Sequence, residues 1–210
     1  MRHIAWSGAF AACLAGAVLA AGCLGPRDVV ETRLYRLNPV VTLSMPEVAS
    51  GGPTLGLRPL DTAQPYDLRM AAMGPDRVVT YRAFDKWAEF PADALTRALT
   101  DALVATGRFA DVGNAGDMAR PDLILTGEIR AFHENRAVSP PVAEVEVRLE
   151  MRAARAPGAV WSGTLLETAP MDGQDGAAFA NAMNSAVGRL MEKAAKAMAD
   201  ACQSMTADAQ

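Results

Sequence analysis

Few side chains in this sequence have the types and spacing that catalysis needs. The chain has two histidines, His3 near its start and His133 in the stretch RAFHENR. A serine-hydrolase triad would need a nucleophilic serine beside His133, and the sequence contains no G-x-S-x-G motif. Glu144 and Glu146 lie two positions apart, which is typical of a solvated strand face rather than of an acid–base pair. We therefore interpret His133 as a surface or capping residue and expect no enzymatic activity.

Motifs for metals, nucleotides and nucleic acids are also missing from the sequence. Zinc requires a cluster of Cys, His or carboxylate ligands, and the sequence shows none. It contains neither a Walker A motif nor a dinucleotide fingerprint. The 20 basic residues are outnumbered by 24 acidic ones and form no positive block, which a nucleic-acid-binding surface would need. We expect no cofactor, no metal and no nucleic-acid partner.

Cys23 is the residue whose surroundings predict a definite chemistry. The basic start MRH precedes an uncharged apolar run from Ile4 to Ala21, and this run leads into Ala20-Ala21-Gly22-Cys23. A basic region, an apolar region and small residues before a cleavage point are typical of a secretory signal. The four residues resemble a bacterial lipobox, in which a peptidase cleaves before the cysteine and its thiol carries diacylglycerol. We predict a signal peptide over 1–22 and lipidation of Cys23; the alternative is an ordinary signal peptide and an unmodified cysteine.

The residues after Cys23 indicate which membrane holds the anchor. In well-studied sorting systems an Asp in the next position retains lipoproteins in the inner membrane, and this sequence has Leu24 there. We therefore expect the periplasmic face of the outer membrane. Residues 23–33 are expected to form a lipidated tether, and about ten extended residues span at most about 33 Å. The folded domain must stay close to its membrane.

Aromatic residues concentrate in the stretch TYRAFDKWAEFP. Tyr81, Phe84, Trp87 and Phe90 lie three positions apart, although aromatics make up only 6% of the chain. A spacing of three does not match the alternating faces of a strand, and it favours a strand end that runs into a turn or short 3₁₀ segment. One hypothesis places Phe84 and Trp87 at the junction between sheet and helix. The other makes Tyr81, Phe84 and Trp87 partner-binding residues, because aromatic anchors are over-represented at interfaces.

Residue patterns predict six strands. They are expected at 33–39, 54–60, 77–82, 122–132, 143–152 and 159–168. From Val145 to Met151 every second residue is apolar and those between are charged, which is typical of a half-solvated antiparallel strand. The turn sequence APG then predicts a hairpin between the last two strands.

Two segments show helical periodicity. The segment 91–106 has Pro91 in its first turn, Gly107 at its end and an apolar stripe of Leu95, Leu99 and Leu103. The segment 177–202 is longer, and its stripe consists of Phe179, Met183, Val187, Leu190, Ala194 and Met198. We expect Cys202 to be a small apolar residue of this helix; an intermolecular disulfide is the alternative.

These elements predict an α/β domain of the α+β type. A mixed, largely antiparallel sheet should pack against two long amphipathic helices. We expect one domain over 34–202 and a disordered tail over 203–210.

The order of the motifs resembles the ABC-type transport auxiliary lipoprotein family, which includes the third component of the paraquat-inducible system. After the lipobox-like cysteine the resemblance runs through YRLNP, LGLRPLDTAQPYD, RVVTYRAFDKWAEFPADALTRALTDALVATGRFADV, PDLILTGEIRAFHE, VEVRLEMR and NAMNSAVGRLMEKAAKAM. The resemblance implies a periplasmic lipoprotein that serves a transporter built from an ATPase, a permease and a substrate-binding protein of the mammalian-cell-entry type. The implied cargo is phospholipid or another hydrophobic molecule.

The expected partners are therefore a mammalian-cell-entry-type periplasmic protein, the membrane through lipidated Cys23, phospholipid and further copies of the chain. Two alternative functions stay open. The protein could be a lipid carrier that encloses an acyl chain between sheet and helices. It could also be a lipoprotein that activates envelope synthases or assists outer-membrane assembly.

Overall fold

Nine strands and two helices are present in the computed structural model, which describes residues 30–43, 51–62 and 65–208. The strands are β1 Arg33–Tyr35, β2 Thr54–Leu57, β3 Asp61–Thr62, β4 Arg69–Met73, β5 Val79–Trp87, β6 Asp111–Asn114, β7 Leu123–Asn135, β8 Val142–Ala153 and β9 Ala159–Pro170. The helices are α1 Pro91–Ala105 and α2 Gly176–Asp208. Cys23 and the predicted signal peptide lie outside the described residues.

The long strand β7 organises the sheet. One of its edges pairs antiparallel with β8 along almost its whole length, and β8 pairs antiparallel with β9. Its other edge pairs in parallel with β2, β3 and β4 in succession. From there the sheet continues from β2 to β6 and from β4 through β5 to β1. The sheet is mixed and open, and its longest pairings are antiparallel, so the predicted fold class is confirmed.

The core lies between one face of this sheet and the two helices. The strict alternation in β8 is confirmed, because Val145, Val147, Leu149 and Met151 are all buried while the charged residues between them point to the other face. The helix α1 begins at Pro91, and its leucines join the same hydrophobic cluster. The predicted stripe of α2 is buried along its length. We call the two sides of the sheet the helix-covered face and the open face.

Several strands differ from the prediction. The short strands β3, β4 and β6 were not predicted, since two to five residues are too few to establish a period. The strand predicted at 77–82 continues as β5 to Trp87 instead of ending in a turn. Its register with β4 is irregular. Arg69 pairs with Lys86 and Ala71 pairs with Tyr81, so two residues of advance along β4 correspond to five along β5. This bulge explains why the aromatic spacing did not look like a strand.

The helix α2 is longer than predicted. It continues to Asp208, so most of the tail expected to be disordered over 203–210 is helical. No glycine or proline follows Cys202 to stop the helix. Within the described part of the chain, no helix has both the length and the apolar character needed to cross a bilayer.

The chain after β1 lies along the surface of α2. The backbone N–H of Asn38 donates to Asn184 Oδ1 at 2.7 Å, and that of Thr42 donates to Glu192 Oε1 at 2.6 Å. Between these contacts the Val40 carbonyl comes so close to Gly188 that a Cβ at this glycine would lie 2.6 Å from the oxygen. Gly188 therefore allows two backbones to touch.

Candidate docking surface

Trp87 is a core residue. Its side chain is 1% exposed and packs against Phe132 and Phe179, with ring centroids 5.3 and 5.6 Å away. Phe132 comes from β7 and Phe179 from α2, so Trp87 fills the junction between sheet and helix, as the first hypothesis predicts. The docking prediction is corrected at this position, because a ring buried to this extent has no surface to offer a partner.

Tyr81 lies on the open face and is half-buried. The Arg69 guanidinium stands 3.8 Å above the centre of its ring, in cation–π contact, and its hydroxyl donates to the Pro65 carbonyl at 3.3 Å. Arg69 is in turn held by Asp67, with hydrogen bonds of 2.7 to 3.0 Å between the two side chains. These bonds lower the pKa of the Asp67 carboxyl. Tyr81 is thus engaged inside the protein, and only part of its ring can be reached from outside.

Phe84 and Phe90 are the exposed members of the aromatic run, and the exposure of Phe84 corrects its placement at the sheet–helix junction. The side chain of Phe84 is 46% exposed, and Leu34 on the neighbouring strand β1 is 66% exposed. Leu34 pairs with Lys86, and burial alternates from Phe84 to Trp87, with Phe84 and Lys86 exposed, so all three side chains share one face. Lys86 also pairs with Arg69, so these two side chains share a face. Arg69 stacks over Tyr81 on the open face, so the face that carries Leu34, Phe84 and Lys86 is the open one. We call Leu34, Phe84 and Lys86 the edge patch.

A buried group of charges holds β5 beneath the edge patch. Arg82 contacts Glu134 of β7 at 2.6 Å and lies 3.9 Å from Asp85, and Asp85 contacts Arg33 of β1 at 2.7 Å. The side chains of Arg82, Asp85 and Glu134 are nearly inaccessible to solvent. Removing one partner of such a buried pair leaves an uncompensated charge. The group therefore fixes the strand on which Phe84 is displayed.

His133 is buried, which corrects its interpretation as a surface or capping residue. It is 2% exposed because Tyr66, from the connection between β3 and β4, stacks on it with ring centroids 5.8 Å apart. The Tyr66 hydroxyl forms a 2.9 Å hydrogen bond with His133 Nδ1. Nε2 lies 3.6 Å from Glu144 Oε1 and has no hydrogen-bond partner among the described residues. Burial lowers the pKa of His133, and the nearby Glu144 carboxylate opposes this shift only in part.

The structure assigns Cys202 to the hydrophobic core. Cys202 is buried in α2 within the core, as predicted, and burial raises the pKa of its thiol to about 11. A thiol with this pKa stays protonated and unreactive at neutral pH, which speaks against the intermolecular disulfide. The described residues contain no cluster of three or more His, Cys, Asp or Glu side chains that could hold a metal ion.

Sequence reasoning missed a hollow of about 850 Å³ on the open face. It is lined by residues from β3, β7 and β8, from the end of β6 and from the turns after β2 and β6. Its wall includes Arg58 and Asp61, and Arg148, which is far from both in the sequence. No short motif could have identified it, because the sheet topology alone brings these segments together.

The family of the chain follows from a comparison with protein-family models. A model described as "ABC-type transport auxiliary lipoprotein component" matches residues 35–195. The chain belongs to this family. The match covers the sheet from the end of β1 onward, α1 and most of α2, so it includes the edge patch except Leu34 and all of the hollow.

Solved structures share the fold. Protein XCC0632 from Xanthomonas campestris has a TM-score of 0.74 and 20% identity, over 83% of this chain and 99% of its own. The hypothetical protein CT253 from Chlamydia trachomatis has a TM-score of 0.51 and 10% identity, over 72% of this chain and 98% of its own. A comparison with curated proteins gives no match. At these identities the likeness to solved structures concerns the fold.

Proposed function

We propose that this lipoprotein is an auxiliary, non-catalytic component of a lipid transport system of the ABC and mammalian-cell-entry type. It is anchored through Cys23 to the periplasmic face of the outer membrane and couples that membrane to a partner based in the inner membrane. Membership of the transport auxiliary lipoprotein family supports the role in transport. The lipobox-like sequence before Cys23 and the following Leu24 support the anchor and the membrane.

The length of the tether supports a coupling role. The first strand begins at Arg33, ten residues after Cys23, and ten residues span at most about 33 Å. A domain held this close to one membrane requires a partner that reaches it from the other. The partner we propose is the periplasmic mammalian-cell-entry-type protein.

The edge patch is the observation that carries the docking proposal. Phe84 and Leu34 are large apolar side chains that remain exposed beside each other, although the same strand buries Trp87 completely. The strand β1 is also the end of the strand order, so its outer edge has no neighbour among the described strands. An exposed aromatic at a free sheet edge offers both an anchor for a pocket and backbone groups for an added strand.

The packing of the domain favours coupling over the lipid-carrier alternative. A carrier would need a continuous apolar cavity between the sheet and the helices. The side chains that meet there, among them Leu99, Val147, Phe179 and Leu190, are fully buried against one another. The hollow described above lies on the opposite face of the sheet.

Site-specific photocrosslinking tests the proposed partner. A photoreactive amino acid at position 84 should form an adduct with the mammalian-cell-entry-type protein in whole cells. The matched control is position 166 on β9, where Leu166 is 53% exposed at the opposite edge of the sheet, and it should give no such adduct. An adduct at 166 and none at 84 would contradict the proposed docking surface. Adducts of position 84 with lipid alone, or with further copies of the chain alone, would also contradict the proposed docking surface.

Replacement of the lipidated residue tests the proposed anchor. Cys23→Ser should move the protein from the membrane fraction to the soluble periplasm, because several acyl chains hold it at about 0.8 kcal/mol per buried CH₂. Density-gradient separation of the two membranes should place the unaltered protein in the outer one. Unchanged fractionation of Cys23→Ser would show that Cys23 is not the anchor.

A further inference from the structure

The hollow on the open face has the dimensions of a small-molecule site. Its volume of about 850 Å³ lies within the roughly 300–1,000 Å³ typical of ligand pockets. Its floor is formed by β7 and β8, including Thr126 and Glu128, and its walls include Arg58 and Asp61. It is distinct from the edge patch, which lies at the β1 end of the sheet.

Three of the charged side chains that line the hollow are paired with neighbours. Arg130 Nε lies 3.3 Å from Glu128 Oε2, and Glu150 is paired with Arg152. These four side chains therefore contribute little net charge to a ligand.

Three further charges in the hollow are not satisfied. The guanidinium groups of Arg58 and Arg148 have no side-chain partner within the described part of the chain, and neither has the carboxylate of Asp61. Other arginines among the described residues also lack a side-chain partner, but these two share one concavity. The hollow thus presents two free cations and one free anion to a ligand.

The sheet register fixes the positions of these groups. Asp61 on β3 pairs with Glu128 on β7, and Glu128 pairs with Arg148 on β8, so the three form one row across adjacent strands. Two strand spacings separate Asp61 from Arg148, which is roughly 10 Å. Arg58 is held beside β7 by its backbone N–H, which donates to the Leu125 carbonyl at 2.9 Å. Asp61 and Arg148 therefore lie on opposite sides of the Glu128–Arg130 pair, and Arg58 lies on the same side of β7 as Asp61.

We propose that the hollow binds a zwitterionic phosphate ester of the phosphoethanolamine type. Guanidinium groups bind phosphate through paired, charge-assisted hydrogen bonds, so Arg58 and Arg148 would hold the phosphate. Asp61 would receive the ammonium group. An acidic peptide segment fits less well, because its carboxylates would be repelled by Asp61 and it has no cationic group to pair with that residue. The inference depends on the charges of the hollow and not on the docking role of the edge patch.

Titration of the detergent-solubilised lipoprotein with O-phosphoethanolamine, inorganic phosphate and ethanolamine tests this site. Calorimetry should show saturable binding of O-phosphoethanolamine, weaker binding of phosphate and none of ethanolamine. Arg58→Gln and Arg148→Gln should each weaken O-phosphoethanolamine binding by about tenfold. Asp61→Asn should remove the preference for O-phosphoethanolamine over phosphate. The control Arg97→Gln removes an equal charge from α1, where Arg97 pairs with Glu89, and should change neither affinity.

Further titrations distinguish a lipid headgroup from a free phosphate ester and show which results would overturn the proposal. A short-chain phosphatidylethanolamine, used below its micellar concentration, should bind more tightly than O-phosphoethanolamine if the ligand is a lipid headgroup, and equally if it is a free ester. The proposal is overturned if neither phosphate compound binds saturably, or if both arginine variants bind as well as the unaltered protein. It is also overturned if a polyglutamate peptide binds more tightly than O-phosphoethanolamine with the same arginine dependence. Crosslinking at position 84 would be unaffected by any of these outcomes.

Discussion

The two faces of the sheet differ in how far their side chains are buried, and Trp87 and Phe84 show this contrast within one strand. They are three positions apart on β5, and an odd separation places two side chains on opposite faces. Trp87 enters the helix-covered face and is buried against two other rings. Phe84 points to the open face and stays half exposed. The same residue class at neighbouring positions thus serves packing on one face and is available for recognition on the other.

The helix-covered face is a continuous apolar core. It joins residues of both helices to the inward positions of the sheet, and these side chains are nearly all fully buried. The open face is instead polar and irregular, with the His133–Tyr66 pair, the hollow and the edge patch along it. Stability should therefore reside mainly in the covered face, while binding should reside in the open one.

A large loss of stability is expected from substitutions at the centre of the core. Leu190→Ala should lower the free energy of unfolding by about 2–5 kcal/mol, because a fully buried leucine leaves a cavity when it is shortened. Reversible denaturation would measure the change. Leu166→Ala on the far edge is the control and should stay within about 0.5 kcal/mol. Similar losses in the two variants would remove the distinction between the faces.

Gly188 should behave in the opposite way to an ordinary helix glycine. Gly→Ala within a helix usually stabilises by up to about 1 kcal/mol. Here the new Cβ would meet the Val40 carbonyl oxygen at 2.6 Å, so the segment after β1 would have to move away from α2. We expect Gly188→Ala to destabilise by about 1–3 kcal/mol in thermal unfolding. A raised unfolding midpoint would show that the segment does not lie against the helix.

His133 should make the open face sensitive to acid. The pKa of His133 is lowered in the folded protein, so the unfolded chain, whose imidazole has a pKa of about 6.5, binds the proton more readily. The stabilisation is therefore complete above about pH 6.5 and is lost as the pH falls towards the lowered value, by up to about 1.4 kcal/mol per pH unit. His133→Gln should have a flatter profile of unfolding free energy between pH 7.5 and 5.5. Identical profiles for the two proteins would contradict the burial of a neutral imidazole.

The sequence predicted the helix-covered face better than the open one, for a physical reason. Burial against helices imposes a regular period, and this is why the alternation in β8 and the stripe of α2 were confirmed residue by residue. The strands β3, β4 and β6 have no such signal, since they are held by pairing with distant segments. Parallel pairing along β7 depends on topology, which no local pattern encodes.

The predictions for individual site residues divide in the same way. The hypothesis that Trp87 fills the sheet–helix junction is confirmed. The placement of His133 on the surface was wrong, because the residues near it in sequence do not indicate that the distant Tyr66 covers it. The bulge in β5 explains why Phe84 was assigned to the junction together with Trp87. The hollow could not be predicted, because its charged residues come from three separate segments of the chain. Lipidation of Cys23 remains a prediction.

The central claim is that Phe84 serves binding while Trp87 serves folding, and one paired measurement tests it most directly. Phe84→Ala and Trp87→Ala should each be compared with the unaltered protein for thermal stability and for capture of the proposed mammalian-cell-entry-type partner. We predict that Phe84→Ala changes stability by less than about 1 kcal/mol and weakens capture about fivefold, which corresponds to roughly 1 kcal/mol. Trp87→Ala should lower the free energy of unfolding by about 3–5 kcal/mol. Full capture by a folded Phe84→Ala protein, or a Trp87→Ala protein that keeps its stability and loses its partner, would contradict the account.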